Sequence, residues 1–436
     1  MRVLELGQLI AGPFCTRIMG EFGAEVIKIE PPGQGDPLRK WRHLHEGTSL
    51  WWHVQSRGKR SFALDLRQPD GQAIARRLAA TADIVVENFR PGTMEAWGLG
   101  YDALATANPG LVMVRISGYG QTGPYRERPG FGVIGEAVGG LRYVTGTPDR
   151  PPSRVGVSIG DTLSALYGVI GALVALESRR ATGHGQVVDV ALYEAVFSVM
   201  ESMLPEFDAC GAIRERTGSF LPGIAPTSAY RCRDGSYVLI AANADSIFRR
   251  LCTAMGRADL AADPALAHND GRAARQAWLD AEIERWTAER APSDVLATME
   301  AAEVPASRIF SIADIVADPH YAAREMIRTI ALPGGRGLKV PGVVPRLSAT
   351  PGNFAGGGPA LGEHSDQVLG ELGYDAAAIA AFRARGIVGL RRGKEARGGG
   401  GGGGRGRGRR PRGGGGEGGG GGAATRPPPP PVFVDI

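Results

Sequence analysis

Two hydrophobic periods take turns along the first 120 residues, and their alternation predicts a repeated strand–helix unit. Val3-Leu4-Glu5-Leu6 is a short, mostly apolar run. From Ala11 the apolar spacing becomes helical; Ala11-Gly12-Pro13 opens the helix, which runs to about Phe22 and stops at Gly23. Residues 24–30 predict a second strand, and the Pro/Gly-rich 31–36 a loop. The same reading gives a strand over 61–66, a helix over 69–80, a strand over 83–87, a helix over 101–107 and a strand over 111–117. Strands alternating with helices predict a parallel, Rossmann-like α/β layer.

The middle of the chain changes character. Val155-Gly156-Val157-Ser158-Ile159 predicts a short strand and Gly160 a turn. Leu163, Leu166, Ile170, Leu173, Val174 and Leu176 then recur at helical spacing. Asp161 is thereby expected at a strand-to-helix junction, near the orphan N–H groups of a helix start, where a carboxylate stays ionised and can face a cleft. An Asp before an apolar helix is most often an N-cap, so this stretch alone does not make it a nucleophile. Gly183 and Gly185 suit a helix stop and a tight turn, followed by a strand over 187–191 and a helix over 193–204. Residues 209–226 are loop-like, and 229–240 predict a hairpin turning at Asp234-Gly235. Helices expected over 246–255, 272–290 and 293–302 complete a smaller α+β domain. The expected division is a large domain over 1–209, a small one over 210–325, a return to the large domain over 326–392 and a tail over 393–436.

Composition narrows the function. The chain has 436 residues, 43% hydrophobic and 22% charged, enough for several domains. No run of about 18 apolar residues stands out, so no membrane span is expected, and the first residues enter a strand pattern rather than a leader. Cys15, Cys210, Cys232 and Cys252 are scattered, which fits a reduced, cytoplasmic protein. The net charge is +5; residues from Arg391 onward hold ten Lys or Arg against three acids, so removing their +7 leaves about −2 for 1–390. Glycine makes up 19 residues of the tail, which predicts disorder; an RGG-like RNA tether would need interleaved aromatics that it lacks. Gly118-Tyr119-Gly120-Gln121-Thr122-Gly123 matches GxGxxG only loosely, because Pro124 follows instead of a helix, so no nicotinamide site is expected. His43 and His45 lack a third ligand in register and His53 stands apart, so no metal is expected either.

Several stretches, taken in order, resemble the family III CoA-transferases of the formyl-CoA and carnitine CoA-transferase type. They are Leu9-Ile10-Ala11-Gly12-Pro13-Phe14, Gly23 to Glu30, Glu87-Asn88-Phe89-Arg90-Pro91-Gly92, Gly118 to Pro124, Gly160-Asp161, Thr182-Gly183-His184-Gly185-Gln186-Val187-Val188-Asp189-Val190 and Leu361-Gly362-Glu363-His364-Ser365. The resemblance covers about residues 1–390 and leaves the tail without a counterpart. It implies an interlocked homodimer and CoA transfer from an acyl-CoA, succinyl-CoA among the candidates, to another carboxylic acid. It places Asp161 as the nucleophile that forms an aspartyl anhydride and then an aspartyl-CoA thioester. By position it assigns Leu9, Ile10, Leu64, Arg67, Asn88, Phe89 and Arg90 to CoA, and Gln8 and Gln121 to the acyl group. No permanently bound cofactor is implied, and neither membrane nor nucleic acid is an expected partner. Phe131 and Gly132 depart from the Tyr-Asp of many relatives. Racemases of the superfamily carry a histidine at the place of Phe131, and a phenyl ring cannot move a proton. A racemase of the α-methylacyl-CoA type is therefore the enzyme alternative, and RNA binding through the tail the non-enzyme one.

Overall fold

The computed structural model describes residues 1–389. They form two compact units. The first contains residues 1–130, 165–190 and 357–389; the second contains 131–164 and 191–356, the segment 210–325 among them.

The first unit is built on a six-stranded sheet. Its strands are β1 (Arg2–Glu5), β2 (Glu25–Glu30), β3 (Arg60–Ala63), β4 (Ile84–Glu87), β5 (Val112–Ser117) and β6 (Val187–Ala191), in the spatial order β3-β2-β1-β4-β5-β6. β1 runs parallel to β2 and β4, β2 to β3, and β4 to β5, with Arg2 opposite Glu25 and Val3 opposite Ile84. Every residue of β4 and β5 is buried, the mark of a parallel strand covered on both faces. Helix α1 (Ala11–Glu21) connects β1 to β2 and buries Cys15, Thr16 and Met19. Leu4, Ile27, Phe62, Ile74, Val85 and Met113 share one apolar core with Val368, Leu369, Ile387 and Val388 from the far end of the chain.

A buried ionic cluster lies under the loop after β1. Glu5 accepts from Lys28 Nζ at 2.7 Å, Lys59 Nζ at 2.8 Å and Thr16 Oγ1 at 2.6 Å. Lys28 also reaches the Gly7 carbonyl at 2.7 Å and Asp36 at 2.9 Å. Burial alone would raise the Glu5 carboxyl, but the two ammonium groups overcome it and hold Glu5 at about 2.

In the second unit, helices α2 (Gly132–Val138) and α4 (Leu192–Phe197) pack through glycine. A Cβ on Gly135 would lie 2.8 Å from that of Leu192, and one on Gly139 2.6 Å from that of Val196. The strands Thr227–Arg231, Tyr237–Ala241 and Ala306–Arg308 form an antiparallel sheet. Its hairpin turns where expected: Gly235 has φ +85°, and the Asp234 carboxylate accepts from the Ser236 N–H and hydroxyl.

Four expectations need correction. Residues 155–158 form no strand, and helix α3 (Ile159–Thr182) starts at Ile159, so Gly160 and Asp161 lie in its first turn. The helix expected over 193–204 is two, Leu192–Phe197 and Met203–Cys210, broken where Glu201 takes a left-handed φ of +51°. Likewise 272–290 divides into Asn269–Ala274 and Gln276–Ala288. Finally, α3 is long and apolar enough, by length and composition, to cross a membrane, with Gly, Ser and Thr interspersed among its apolar residues. The tail expectation concerns residues outside those described.

Candidate active site

Asp161 belongs to the second unit. The start of α3 is held by Ser158, whose carbonyl accepts from the Thr162 N–H at 3.1 Å and the Thr162 hydroxyl at 2.9 Å. Two glycines then let the backbones of α2 and α3 meet. A Cβ on Gly160 would lie 2.8 Å from the Gly132 carbonyl oxygen, and one on Gly132 would lie 2.1 Å from Asp161 Oδ2. The carboxylate therefore occupies the space a side chain at position 132 would fill.

Glu136 sits one turn beyond Gly132 on the same helix, which puts it on the same face, leaning back toward the helix start. Its side chain is 1% exposed. Arg142 Nη2 approaches Glu136 Oε2 at 3.4 Å, and Arg154 Nη2 stands 3.9 Å from Oε1. That second oxygen is buried with no hydrogen bond. Two carboxylates and two guanidinium groups thus share one neighbourhood. Burial and then the Glu136 charge push Asp161 up to about 6, against the opposing pull of Arg154. Near neutral pH the group is ionised, more basic than an ordinary aspartate and poorly hydrated, which suits a carboxylate nucleophile. Glu136, Arg142 and Arg154 were not singled out in the sequence. The available signal was an acid inside the otherwise apolar Val133-Ile134-Gly135-Glu136-Ala137-Val138.

The residues assigned to CoA and the acyl group belong to the first unit, and several converge. Asn88 follows β4 and clasps the loop after β1: its Oδ1 accepts from the Gln8 N–H at 2.8 Å and its Nδ2 donates to the Gln8 carbonyl at 2.9 Å. Leu9 takes a left-handed φ of +62°, and its N–H donates to Asp36 at 3.1 Å. A non-glycine residue held there marks a loop fixed by its surroundings. Ile10 and Phe89 are buried beside this clasp, Phe89 edge-on to Trp97 at 5.2 Å between centroids. Leu64 is 1% exposed, bridges to Val388 and belongs to the core. The Arg67 side chain is 67% exposed and paired with Asp65 at 2.8 Å. Arg90 directly follows Phe89 at the end of β4. Gln121 lies in the turn-rich stretch after β5, its N–H donating to Asp189 at 2.9 Å. His364 Nδ1 accepts from the Ser61 N–H at 3.2 Å and the His364 backbone N–H donates to the Ser61 carbonyl at 3.0 Å, a packing role ahead of the helix Ser365–Glu371.

Comparison with known proteins identifies the family. The model of "CoA-transferase family III" matches residues 1–365. The succinyl-CoA–D-citramalate CoA-transferase of Chloroflexus aurantiacus is 52% identical over 85% of this chain and 93% of its own length. The succinyl-CoA:mesaconate CoA-transferase of Haloarcula marismortui is 36% identical over 86% and 96%. Succinate–glutarate CoA-transferase of Agrobacterium fabrum is 35% identical over 85% and 94%. Among solved structures, a CAIB/BAIF family protein from Brucella suis aligns with TM-score 0.75 and 36% identity, over 85% of this chain and 98% of that one. The chain belongs to CoA-transferase family III.

Proposed function

We propose that this enzyme moves CoA from succinyl-CoA to a second dicarboxylic acid, with Asp161 as the covalent nucleophile. Each of the three CoA-transferases named above is described as acting on succinyl-CoA or succinate together with another dicarboxylic acid, and the 52% relative makes a citramalate-like hydroxy diacid the first acceptor to try. One Asp161 oxygen attacks the thioester carbonyl and CoA leaves as thiolate, giving a mixed anhydride. The thiolate then attacks the aspartyl carbonyl and expels succinate, leaving Asp161 as its CoA thioester. The acceptor carboxylate attacks that thioester, releasing thiolate again and forming a new anhydride. Attack of the thiolate on the acceptor's acyl carbon frees Asp161. Every bond broken is matched by one formed, and no redox step or permanently bound cofactor enters.

The observation that carries this reading is the placement of Asp161, half-buried against a glycine backbone with a buried carboxylate beside it. The strand order of the first unit supports a Rossmann-like sheet, in which ligands collect beyond the carboxyl ends of the strands; the Gln8–Asn88 clasp lies there, and Leu9, Ile10, Asn88, Phe89 and Arg90 are the CoA residues we would test first. An exposed apolar stripe on α3 supports a homodimer, and unpaired cysteines a cytoplasmic location. Phe131, which precedes Gly132, leaves the racemase reading without a second base.

Asp161→Ala should abolish transfer from succinyl-CoA while CoA still binds, measured by mass spectrometry of products and by calorimetry. Hydroxylamine added during turnover should convert Asp161 to a hydroxamate in the wild type. Transfer at wild-type rate in the variant, or an unmodified Asp161, would refute the nucleophile.

A further inference from the structure

Both guanidinium groups in the nucleophile's neighbourhood keep unused donors, the Nε of Arg142 being buried without a hydrogen bond, but the one open to an incoming substrate is Arg154. Arg142 is 26% exposed and lies close to Glu136. Arg154 is different: its side chain is 51% exposed, its nearest carboxylate oxygen is 3.9 Å away, beyond hydrogen-bond range, and no hydrogen bond from it exists among the described residues. Its backbone is nevertheless anchored. The preceding Ser153 N–H donates to the Thr145 carbonyl at 2.8 Å, and a Cβ on Gly146 would lie 2.8 Å from Ser153 Oγ, so this turn is closely packed. The formal charges of the two carboxylates, Asp161 and Glu136, are matched by those of Arg142 and Arg154. A dicarboxylic acyl group adds a third anion beside these two carboxylates, whereas a monocarboxylic one adds none.

We propose that Arg154 is the specificity residue that receives the distal carboxylate of the dicarboxylic acyl group, in the succinyl donor and in the acceptor alike. A guanidinium offers a planar fork that matches a carboxylate bidentately. One edge of Arg154 faces Glu136 and keeps it near Asp161; the remaining donors are available to substrate. Glu136 has its own part: it holds the guanidinium in place without saturating it. A monocarboxylic thioester leaves Arg154 unpaired, and that loss is the basis of discrimination.

The proposal rests on the succinyl-CoA reading, so the wild type is assayed first. No CoA transfer from succinyl-CoA to any acid would sink that reading and not the role of Arg154 as such. Given transfer, kcat/KM is compared for succinyl-CoA and butyryl-CoA, which differ in the distal carboxylate, in the wild type and in Arg154→Met, Arg154→Lys and the Glu136→Gln/Arg154→Met double variant. In Arg154→Met the succinyl-to-butyryl ratio should fall by roughly 10- to 100-fold, the equivalent of one lost charge-assisted hydrogen bond, mainly through KM. Arg154→Lys should recover part of it. If Arg154 only neutralised Glu136, both donors would decline together and the double variant would restore both. An unchanged ratio, or that joint decline and rescue, overturns the proposal. Because the side chain is half exposed, circular dichroism should show each variant folded.

Discussion

Position 132 shows how much one missing side chain can decide. Asp161 Oδ2 occupies the volume a Cβ would take, 2.1 Å from its ideal position. Gly132→Ala should therefore displace the carboxylate while leaving the fold intact. A misplacement of about 1 Å costs roughly 100-fold in rate, so we expect a kcat loss of about that size, with an unchanged melting curve, in the succinyl-CoA assay. A variant as fast as the wild type would show that the carboxylate can move without penalty. At this scale the sequence was partly legible. Asp161 stood out by its position before a long apolar helix, and Asn88 by its place after a strand. Glu136 and Arg154 did not, because their importance comes from residues far apart in sequence meeting around one carboxylate. Arg67 illustrates the reverse: a plausible phosphate ligand in the sequence, it is mostly exposed and paired with its neighbour Asp65.

Among the elements, β1 and the loop after it depend on the buried Glu5. Removing its charge takes away the carboxylate paired with Lys59 and leaves Lys28 with Asp36, and breaking a buried ion pair in this way costs about 3–5 kcal/mol. Glu5→Gln should lower the urea midpoint correspondingly at pH 7. The pH dependence follows from the carboxyl being held at about 2, below its unfolded value of 4.5. Its stabilising contribution is complete above the unfolded value and is lost as pH falls through the folded one. The gap between wild type and variant should therefore narrow between about pH 4.5 and pH 2; a gap constant across that window would refute the assignment. Most elements of the first unit could be read in advance, because apolar period and Gly/Pro punctuation agree there. The exception at 155–159 has a physical cause. Alternating Val155, Val157 and Ile159 make a strand only against a partner edge, and no strand pairs with them among the described residues. The helix that follows instead takes Ile159 and Gly160 into its first turn.

For the whole molecule, the feature that calls for a partner is the stripe of Leu166, Ile170, Leu173 and Val174, which are 40, 55, 55 and 64% exposed. Their spacing puts them on one face of α3, and a contiguous exposed apolar face of this kind marks an interaction surface. In the homodimer proposed above, this face is buried against the second copy. Ile170→Glu should shift the protein from dimer to monomer in sedimentation velocity without detergent. A wild type already monomeric, or one that floats with lipid vesicles, would argue instead that α3 meets a membrane.

The union of the two ends of the chain in one core has a consequence for biosynthesis. Leu64 pairs with Val388, the Asp65 N–H bonds to the Ile387 carbonyl, and the Gly389 N–H to that of Ala63. The ribosome delivers the early strands long before the residues that cover them, so this core stays unfinished until residue 389 has cleared the exit tunnel. The uninterrupted 191–356 emerges earlier and can begin folding first. During translation, then, the half-built sheet is the nascent segment most in need of a chaperone.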